Sequence, residues 1–180
     1  EKNFSSLEGL YKQFDKACAG DKLLIFAAGN AGHPIPSLEN LSSNFGKHTP
    51  YNMLTVTAAD NHSLTANSDG SISGQVALTY FSELAGFVED STLAAPGWQI
   101  LSANANYAKD GKADLLLSGT SMAAPHVTGA SALVQQAFPY LNAKQLGDVL
   151  LSTANNKLTV TDYQVQMVSD NNRVIGFNIM

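Results

Sequence analysis

The feature that most limits the fold is an uncharged helical stretch. From Met122 to Phe138 the chain contains no Asp, Glu, Lys or Arg, and its small and apolar residues follow a helical pattern. Pro139 ends the pattern because proline has no N–H to donate and its ring disrupts the preceding turn. A surface helix normally keeps a polar stripe for water, so a helix without one is expected in the middle of a core.

Apolar runs elsewhere predict buried strands. Leu23–Ala28 is continuously apolar rather than alternating, as expected for a strand covered on both faces of a parallel sheet. Met53–Ala58 predicts a second strand. Leu93–Ala95 and Ile100–Leu101 predict short strands on either side of a turn at Pro96-Gly97.

Two further helices and a terminal hairpin complete the pattern. Apolar residues at spacings of three and four predict an amphipathic helix over Ser5–Ala19, closed by Gly20. Asn142 and Gln145 match a capping box, which predicts the start of another helix. The partly alternating segment Leu158–Met180 predicts a β-hairpin. The chain is therefore expected to be α/β, with a parallel sheet flanked by helices and a C-terminal β-hairpin.

The composition excludes several classes of protein. Of the 180 residues, 44% are hydrophobic and 14% are charged, so a disordered chain is not expected. The formal net charge is -5 and no basic cluster occurs, which argues against nucleic acid as a partner. No apolar run is long enough to span a bilayer, so no membrane contact is expected from this segment. The single cysteine, Cys18, excludes an internal disulfide and any multi-cysteine metal site.

The most informative motif is GTSMAAPHVTG, from Gly119 to Gly129. It sets Ser121 at the boundary between a tight glycine turn and the start of the uncharged helix. Unpaired amides and the positive end of the helix dipole face such a position, so an alkoxide or oxyanion formed there would be stabilised. For a bare Thr-Ser pair, an ordinary helix cap is the alternative.

Asn30 lies in a second glycine-bearing segment. The sequence AAGNAG, from Ala27 to Gly32, directly follows the first predicted strand. Ligands of open α/β sheets bind at the carboxyl ends of strands. There the Asn30 amide could donate to a developing negative oxygen, and the glycines would admit a substrate backbone. Taken alone, the same residues are typical of a turn.

Together the two segments closely resemble the nucleophile and oxyanion motifs of subtilisin-like serine proteases, the subtilases. The resemblance implies an endopeptidase in which Ser121 forms an acyl-enzyme, while Asn30 and the Ser121 backbone N–H hold the oxyanion. It also implies a subtilisin-like three-layer sandwich, and no metal or organic cofactor in the chemistry. The residues expected to line the substrate site are Ala27, Ala28, Gly29, Gly119 and Thr120.

Scaffold landmarks extend the resemblance over most of the chain. Tyr80–Ser82 and Leu93–Gly97 look like family landmarks, and the resemblance covers residues 23–155. We therefore expect residues 1–155 to be the C-terminal portion of a subtilisin-like peptidase domain and residues 156–180 to be an extension of it.

The segment Phe138–Leu146, together with Leu151–Asn155, resembles secreted autotransporter subtilases of Gram-negative bacteria. This resemblance implies a secreted or cell-surface protein. The sparse cysteine content is compatible with export.

The base and its orienting carboxylate are not found in the chain. In subtilases the triad aspartate and histidine precede the oxyanion segment, and neither of their motifs occurs here. On a helix, five residues of separation turn the side chain of His126 away from Ser121. None of the other histidines has the expected context either; they are His33, His48 and His62.

The simplest interpretation is that the chain is the C-terminal half of a catalytic domain, inactive by itself. Its partners would then be a protein or peptide substrate and the missing N-terminal half. An exposed sheet edge would also let two copies of the chain associate.

Two alternatives belong to other classes. The absent base would also suit a non-catalytic binding or assembly module on the same scaffold. An unrelated Ser-dependent α/β hydrolase is more remote, because Thr120-Ser121-Met122 does not form its Gly-x-Ser-x-Gly elbow.

Two polar loops carry oxygen-rich side chains, as a calcium site would require. One contains Asp60, Asn61, Asn67 and Asp69, and the other extends over Asn104–Asp110. A structural calcium ion would suit the family, yet neither spacing matches an EF-hand loop. Ordinary polar turns are the expected structures, and no metal ligand is assigned.

Overall fold

The computed structural model describes residues 9, 12, 13, 16, 17, 19–37, 52–62, 64–70, 72–154, 159, 160, 178 and 179. Residues 12, 13, 16, 17 and 19 are helical. The Gly20 N–H donates to the Lys16 and Ala17 carbonyls at 3.0 and 3.1 Å, which ends this helix where the sequence predicts. Tyr11, Phe14 and Cys18 lie outside the described residues.

Beyond these helical residues, the described part of the chain contains ten strands, three further α-helices and one 3₁₀ helix. The 3₁₀ helix is Gly86–Ser91, and the α-helices are α1 Tyr107–Asp110, α2 Thr120–Ala137 and α3 Ala143–Thr153. The strands are β1 Leu24–Ala27, β2 Met53–Asp60, β3 Thr65–Ala66, β4 Ile72–Ser73, β5 Gln75–Leu78, β6 Thr92–Pro96, β7 Ile100–Ala103, β8 Asp114–Leu117, β9 Thr159–Val160 and β10 Asn178–Ile179.

The main sheet is built around β2, whose residues 54–59 are all buried. Strands β1 and β6 lie on its two edges, and both pair with it in parallel. Strand β5 pairs antiparallel with the last two residues of β2, Ala59 and Asp60. The expected parallel sheet flanked by helices is present, and β5 adds one antiparallel pairing to it.

Strands β1 and β5 share one edge of β2, and a side chain fills the gap between them. Ala28 donates to the Val56 carbonyl at the end of β1, and Thr79 donates to the Ala58 carbonyl just past β5, both at 2.9 Å. The Ala58 N–H between them donates to the Ser82 hydroxyl at 2.9 Å. This bond replaces a strand partner, since a buried amide without an acceptor would be costly.

Helix α2 packs on β1, β2 and β6 through one face, and α3 packs beside it. The buried residues of α2 lie three or four positions apart, at Thr120, Ala123, Val127 and Ser131. Leu133 on its other side is 68% exposed. The expectation of a helix enclosed on every side is therefore not met within the described residues, where the sheet and α3 cover one face.

The loops contain more structure than the sequence predicts. Strands β3 and β4 form a hairpin inside the polar loop after β2, and β7 pairs with β8 around helix α1. All four residues of β8 are exposed, including three leucines. The buried core lies instead between α2 and the sheet, around Leu54, Val56, Leu93 and Val127.

The predicted C-terminal hairpin falls mostly outside the described residues. Its described ends do not pair with each other, since β9 pairs in parallel with β5 and β10 with β6. In the part of the chain that the structure describes, no helix has the length and apolarity needed to cross a bilayer.

Candidate active site

Asn30 lies in a loop that leaves the sheet at the carboxyl end of β1. This Asn30 loop, residues 28–37, is closed by a hydrogen bond from the Ser37 N–H to the Ala28 carbonyl at 2.9 Å. Gly29 has φ +125°, and a Cβ there would overlap the Glu83 carboxylate and come within 2.7 Å of the Ser37 hydroxyl. Only glycine fits this position, which accounts for the glycine between Ala28 and Asn30.

The start of α2 is fixed to the end of β6 by two glycines. The Gly97 N–H donates to the Ala59 carbonyl at 2.9 Å, and the Gly119 N–H donates to the Gly97 carbonyl at 2.8 Å. A Cβ on Gly97 would lie 2.5 Å from the Ala58 Cβ and 2.9 Å from the Gly119 carbonyl oxygen. This close backbone approach places the first turn of α2 beside the carboxyl ends of β2 and β6.

Thr120 joins these two parts of the site. The Asn30 side-chain oxygen accepts hydrogen bonds from the Thr120 backbone N–H at 2.9 Å and from the Thr120 hydroxyl at 3.1 Å. The Thr120 hydroxyl in turn accepts from the Gly29 N–H at 3.1 Å. Both Oδ1 and Nδ2 of Asn30 lie near Gly119, at 3.6 and 3.5 Å from the position that a Cβ would take there.

Ser121 follows at the second position of α2 and is exposed. Neither its hydroxyl nor its backbone N–H is hydrogen bonded to another described residue. Pro125 has no N–H, so the Ser121 carbonyl also lacks the donor that a helix normally provides four residues later. Ser121 thus carries an exposed hydroxyl and an unpaired amide at a helix N-terminus, one residue after the Thr120 that Asn30 contacts.

The predicted substrate-site residues fall into two groups. Thr120 is fully buried, and its polar groups bind Asn30 and Gly29, so it positions other residues instead of facing a ligand. The N–H and carbonyl of Ala28 bind Val56 and Ser37, and those of Gly29 bind Thr120 and Glu83. Ala28 and Gly29 can therefore contact a ligand through their surfaces, but neither has a backbone N–H or carbonyl left to hydrogen bond with it.

Ala27 differs from them because neighbouring residues of a strand point their N–H groups to opposite edges. Among the described strands β1 pairs only with β2, so its outer edge, to which the Ala27 N–H points, is unpaired. Gly119 lies beside Asn30: a Cβ on it would be 3.5 Å from the Asn30 Nδ2 atom.

Each described histidine has a partner other than Ser121. The His126 Nδ1 lies 2.8 Å from the Met122 carbonyl oxygen one turn back, as helical spacing predicts. His62 contacts Asp60, and His33 contacts Glu83. His48 lies outside the described residues. No described histidine is therefore placed to take a proton from the Ser121 hydroxyl.

Glu83 and Ser82 support the site but are not among the residues that the sequence predicts for it. Glu83 is 1% exposed and lies against the Asn30 loop, while Ser82 fills the gap between β1 and β5. A charged residue inside the otherwise uncharged segment Tyr80–Phe87 is the only sequence signal for Glu83. Ser82 belongs to the Tyr80–Ser82 landmark, which gives no indication of its hydrogen bond to Ala58.

The oxygen-rich loops use their carboxylates internally. Burial raises the pKa of Asp60, but hydrogen bonds from the backbone N–H and the ring of His62 outweigh it and hold the pKa below its ordinary value. Hydrogen bonds from the Lys112 N–H and the Asn104 side chain lower the pKa of Asp110. The described residues contain no group of three or more His, Cys, Asp or Glu that could hold a metal ion.

Trp98 packs against Phe81 with ring centroids 6.0 Å apart and contacts the exposed ring of Tyr80 at 6.1 Å. Trp98 therefore packs against the aromatic residues that follow β5. Tyr107 lies on α1 and is 60% exposed.

Comparison with known proteins agrees with the fold. The model of the Subtilase family (Peptidase S8) matches residues 2–173. An extracellular serine protease of Serratia marcescens is 32% identical over 159 residues, which are 78% of this chain and 14% of that protein. Subtilisin DY of Bacillus licheniformis is 31% identical over 153 residues, covering 84% of this chain and 46% of that protein.

Among solved structures, the prenylagaramide maturation protease PagA is 25% identical with a TM-score of 0.58, over 82% of this chain and 46% of that chain. The chain thus spans less than half the length of each of these three proteins. The family match covers nearly the whole chain, and the buried sheet, the Asn30 loop and the first turn of α2 occur in the order of the family's motifs. The chain belongs to the subtilase family of serine peptidases.

Proposed function

We propose that the protein carrying this chain is a subtilisin-type serine endopeptidase with Ser121 as its nucleophile. The observation that carries the proposal is the hydrogen bonding of Asn30 to Thr120, because it holds the Asn30 carboxamide against the residue that precedes an exposed serine at a helix N-terminus. Preorganised donors at the site of developing charge are commonly the largest contribution to acyl-transfer catalysis.

In the proposed reaction the Ser121 hydroxyl oxygen attacks the scissile carbonyl carbon. The negative charge that develops on the carbonyl oxygen is held by the Asn30 side-chain amide and the Ser121 backbone N–H. Collapse of the tetrahedral intermediate releases the amine product and leaves an acyl group on Ser121, which water then removes. Ala27, Ala28 and Gly29 form one wall of the substrate site, and Gly119 leaves room beside the oxyanion.

The proton of Ser121 needs a base, and we assign it to a histidine oriented by an aspartate in a preceding part of the same domain. Three observations support this assignment. No described histidine approaches Ser121, β1 has an unpaired outer edge among the described strands, and the outer side of α2 is exposed at Leu133. The missing half of the domain would cover both surfaces, and residues 1–180 alone are expected to be inactive.

We also propose that the protein is secreted or held at a bacterial cell surface, as an autotransporter-type subtilase. The extracellular Serratia protease supports export, and the segment Phe138–Leu146 carries the autotransporter resemblance. Its substrates would be proteins or peptides. No cofactor takes part in the proposed chemistry.

The experiment is covalent labelling with a fluorophosphonate, which reacts with activated serine nucleophiles. The full-length protein should be labelled, and S121A should abolish the label. S118A is the matched control, because Ser118 is a nearby exposed serine whose hydroxyl accepts only the Gln99 N–H. Residues 1–180 alone should not be labelled. A full-length protein that folds but takes no label would contradict the enzyme proposal.

A non-catalytic binding module is the second candidate, and the absence of a described histidine near Ser121 is the observation that favours it. It predicts that full-length protein resists labelling yet still binds peptides. Self-association through the outer edge of β1 is a separate expectation for residues 1–180. It should appear as a dimer in sedimentation, and the full-length protein should not form it.

A further inference from the structure

A single buried carboxylate lies inside the Asn30 loop. The Glu83 side chain is 2% exposed, and its two oxygens have different partners. The Ser37 hydroxyl donates to Oε2 at 2.6 Å, and Nδ1 of His33 lies 3.2 Å from Oε1. One side chain therefore contacts the middle of the loop at His33 and its end at Ser37.

The same carboxylate packs against the start of the loop. A Cβ added to Gly29 would overlap the Glu83 carboxylate, so the absence of a side chain at Gly29 is what admits it. Gly29 is also the residue whose N–H donates to the Thr120 hydroxyl, and it immediately precedes Asn30. A shift of the carboxylate would thus be transmitted through Gly29 to the hydrogen bonds that orient Asn30.

Backbone hydrogen bonds hold Glu83 in this place. The Glu83 N–H donates to the Gly29 carbonyl and the Leu84 N–H donates to the His33 carbonyl, both at 3.0 Å. The Gly32 N–H donates to the Phe81 carbonyl at 2.9 Å. These bonds attach the Asn30 loop to the segment that follows β5, and they fix the direction from which the Glu83 side chain enters the loop.

Removing a carboxylate from water is unfavourable in free energy, and burial is tolerated only when the carboxylate oxygens are hydrogen bonded. Both oxygens of Glu83 meet that condition with residues of the Asn30 loop alone. The loop also buries Ala28 and Pro36, but neither has a side-chain polar group that could join distant parts of the loop. Glu83 is therefore the buried polar side chain that connects the start, middle and end of the loop.

We propose that Glu83 is a positioning residue for catalysis, which orders the Asn30 loop so that the Asn30 amide is aimed at the oxyanion. This inference rests on the proposed function. Glu83 does not touch the reacting atoms and acts through Asn30. Its loss should therefore lower kcat and leave KM little changed, because the interaction with the oxyanion is made in the transition state.

The test is a double-mutant cycle in the full-length protein that carries this chain, with E83A, N30A and the double variant. E83A should lower kcat by about 10- to 100-fold, the scale expected when a catalytic group is displaced by about 1 Å. In the N30A background the same change should alter kcat by less than about twofold, because residues acting as one unit are strongly non-additive. Equal losses in both backgrounds would overturn the proposal.

E83Q keeps the shape of the side chain and an acceptor for Ser37, so it serves if E83A does not fold. Its effect on kcat should be smaller than that of E83A and should again vanish in the N30A background. The matched control is E89Q, since Glu89 lies six positions further on and its Oε2 has no partner among the described residues. E89Q should leave kcat unchanged.

Hydrogen exchange gives a readout that does not depend on activity. In E83A the amides of Gly29, Gly32 and Ser37 should exchange faster, while those of α2 should keep their wild-type rates. Unchanged exchange in the loop would overturn the proposal. Failure of the enzyme proposal is recognised separately. In that case the full-length wild-type protein would show no peptidase activity above that of S121A.

Discussion

The Asn30 side-chain oxygen accepts two hydrogen bonds from Thr120, one from its backbone N–H and one from its hydroxyl. The two residues are 90 positions apart in the chain. The first leaves the carboxyl end of β1, and the second begins α2. Their contact fixes the orientation of the Asn30 side chain against the residue that precedes Ser121.

This orientation gives the first prediction. N30A removes both the anchor and the donor, and we expect kcat to fall by about 10²–10³, the loss established for removal of this kind of donor in subtilisin. N30D keeps an oxygen for Thr120 but replaces the NH₂ donor with an acceptor. It should retain more stability than N30A and lose at least as much kcat. Steady-state kinetics and thermal denaturation separate the two effects, and an N30D enzyme with wild-type kcat would refute the role of Asn30.

The second prediction concerns the Thr120 hydroxyl. T120V leaves the Gly29 N–H without its acceptor, and we expect the free energy of unfolding to fall by about 1–3 kcal/mol. The value of kcat should fall as well, because Asn30 keeps only the backbone half of its anchor. T120S is the matched control, since it preserves the hydroxyl. If T120S loses as much stability as T120V in urea denaturation, the methyl group and not the hydroxyl is responsible.

The third prediction compares two glycines. G97A would place a Cβ 2.5 Å from the Ala58 Cβ and 2.9 Å from the Gly119 carbonyl oxygen. We expect it to destabilise the fold by about 1–3 kcal/mol, as overpacking does, and to slow labelling of Ser121. G129A adds a methyl in open space on α2 and should stabilise by about 0.5–1 kcal/mol through helix propensity. Similar effects of both changes would show that the site does not depend on the Gly97 contact.

The fourth prediction concerns pH and Asp60. Burial raises the pKa of Asp60, but the hydrogen bonds from His62 lower it by more than burial raises it. The pKa of Asp60 in the folded state therefore lies below the ordinary value of 3.8. A carboxyl with a depressed folded-state pKa contributes stability above its unfolded pKa and loses it as the pH falls through the folded one. Wild type should therefore be more stable than D60N at neutral pH. The difference should shrink below about pH 4, and a difference in melting temperature that stays constant with pH would contradict the assignment.

Elements defined by local patterns were predictable from the sequence. The apolar runs predict β1, β2 and β6, and the structure contains all three. The capping box at α3 is present, with the Asn142 side chain accepting from the Gln145 N–H at 2.9 Å. These features depend on residues that are neighbours in the chain. Patterns of three, four or six residues are therefore enough to predict them.

The rest depends on contacts between distant residues. The antiparallel approach of β5, the burial of Glu83 and the bond from Ala58 to the Ser82 hydroxyl have no local signature. For the site, the resemblance to subtilases identifies Asn30 and Ser121 as catalytic residues, but it predicts that Thr120 lines the substrate site. In the structure Thr120 is buried and holds the two halves of the site together.

The bond between Asn30 and Thr120 also sets when the site can exist during folding. Neither the Asn30 loop nor the first turn of α2 can form the proposed oxyanion pocket alone, since each would supply one donor and the contact between Asn30 and Thr120 joins them. The pocket therefore appears only after the helix has docked on the finished sheet. A copy in which α2 has not docked on the sheet would therefore lack the proposed oxyanion pocket.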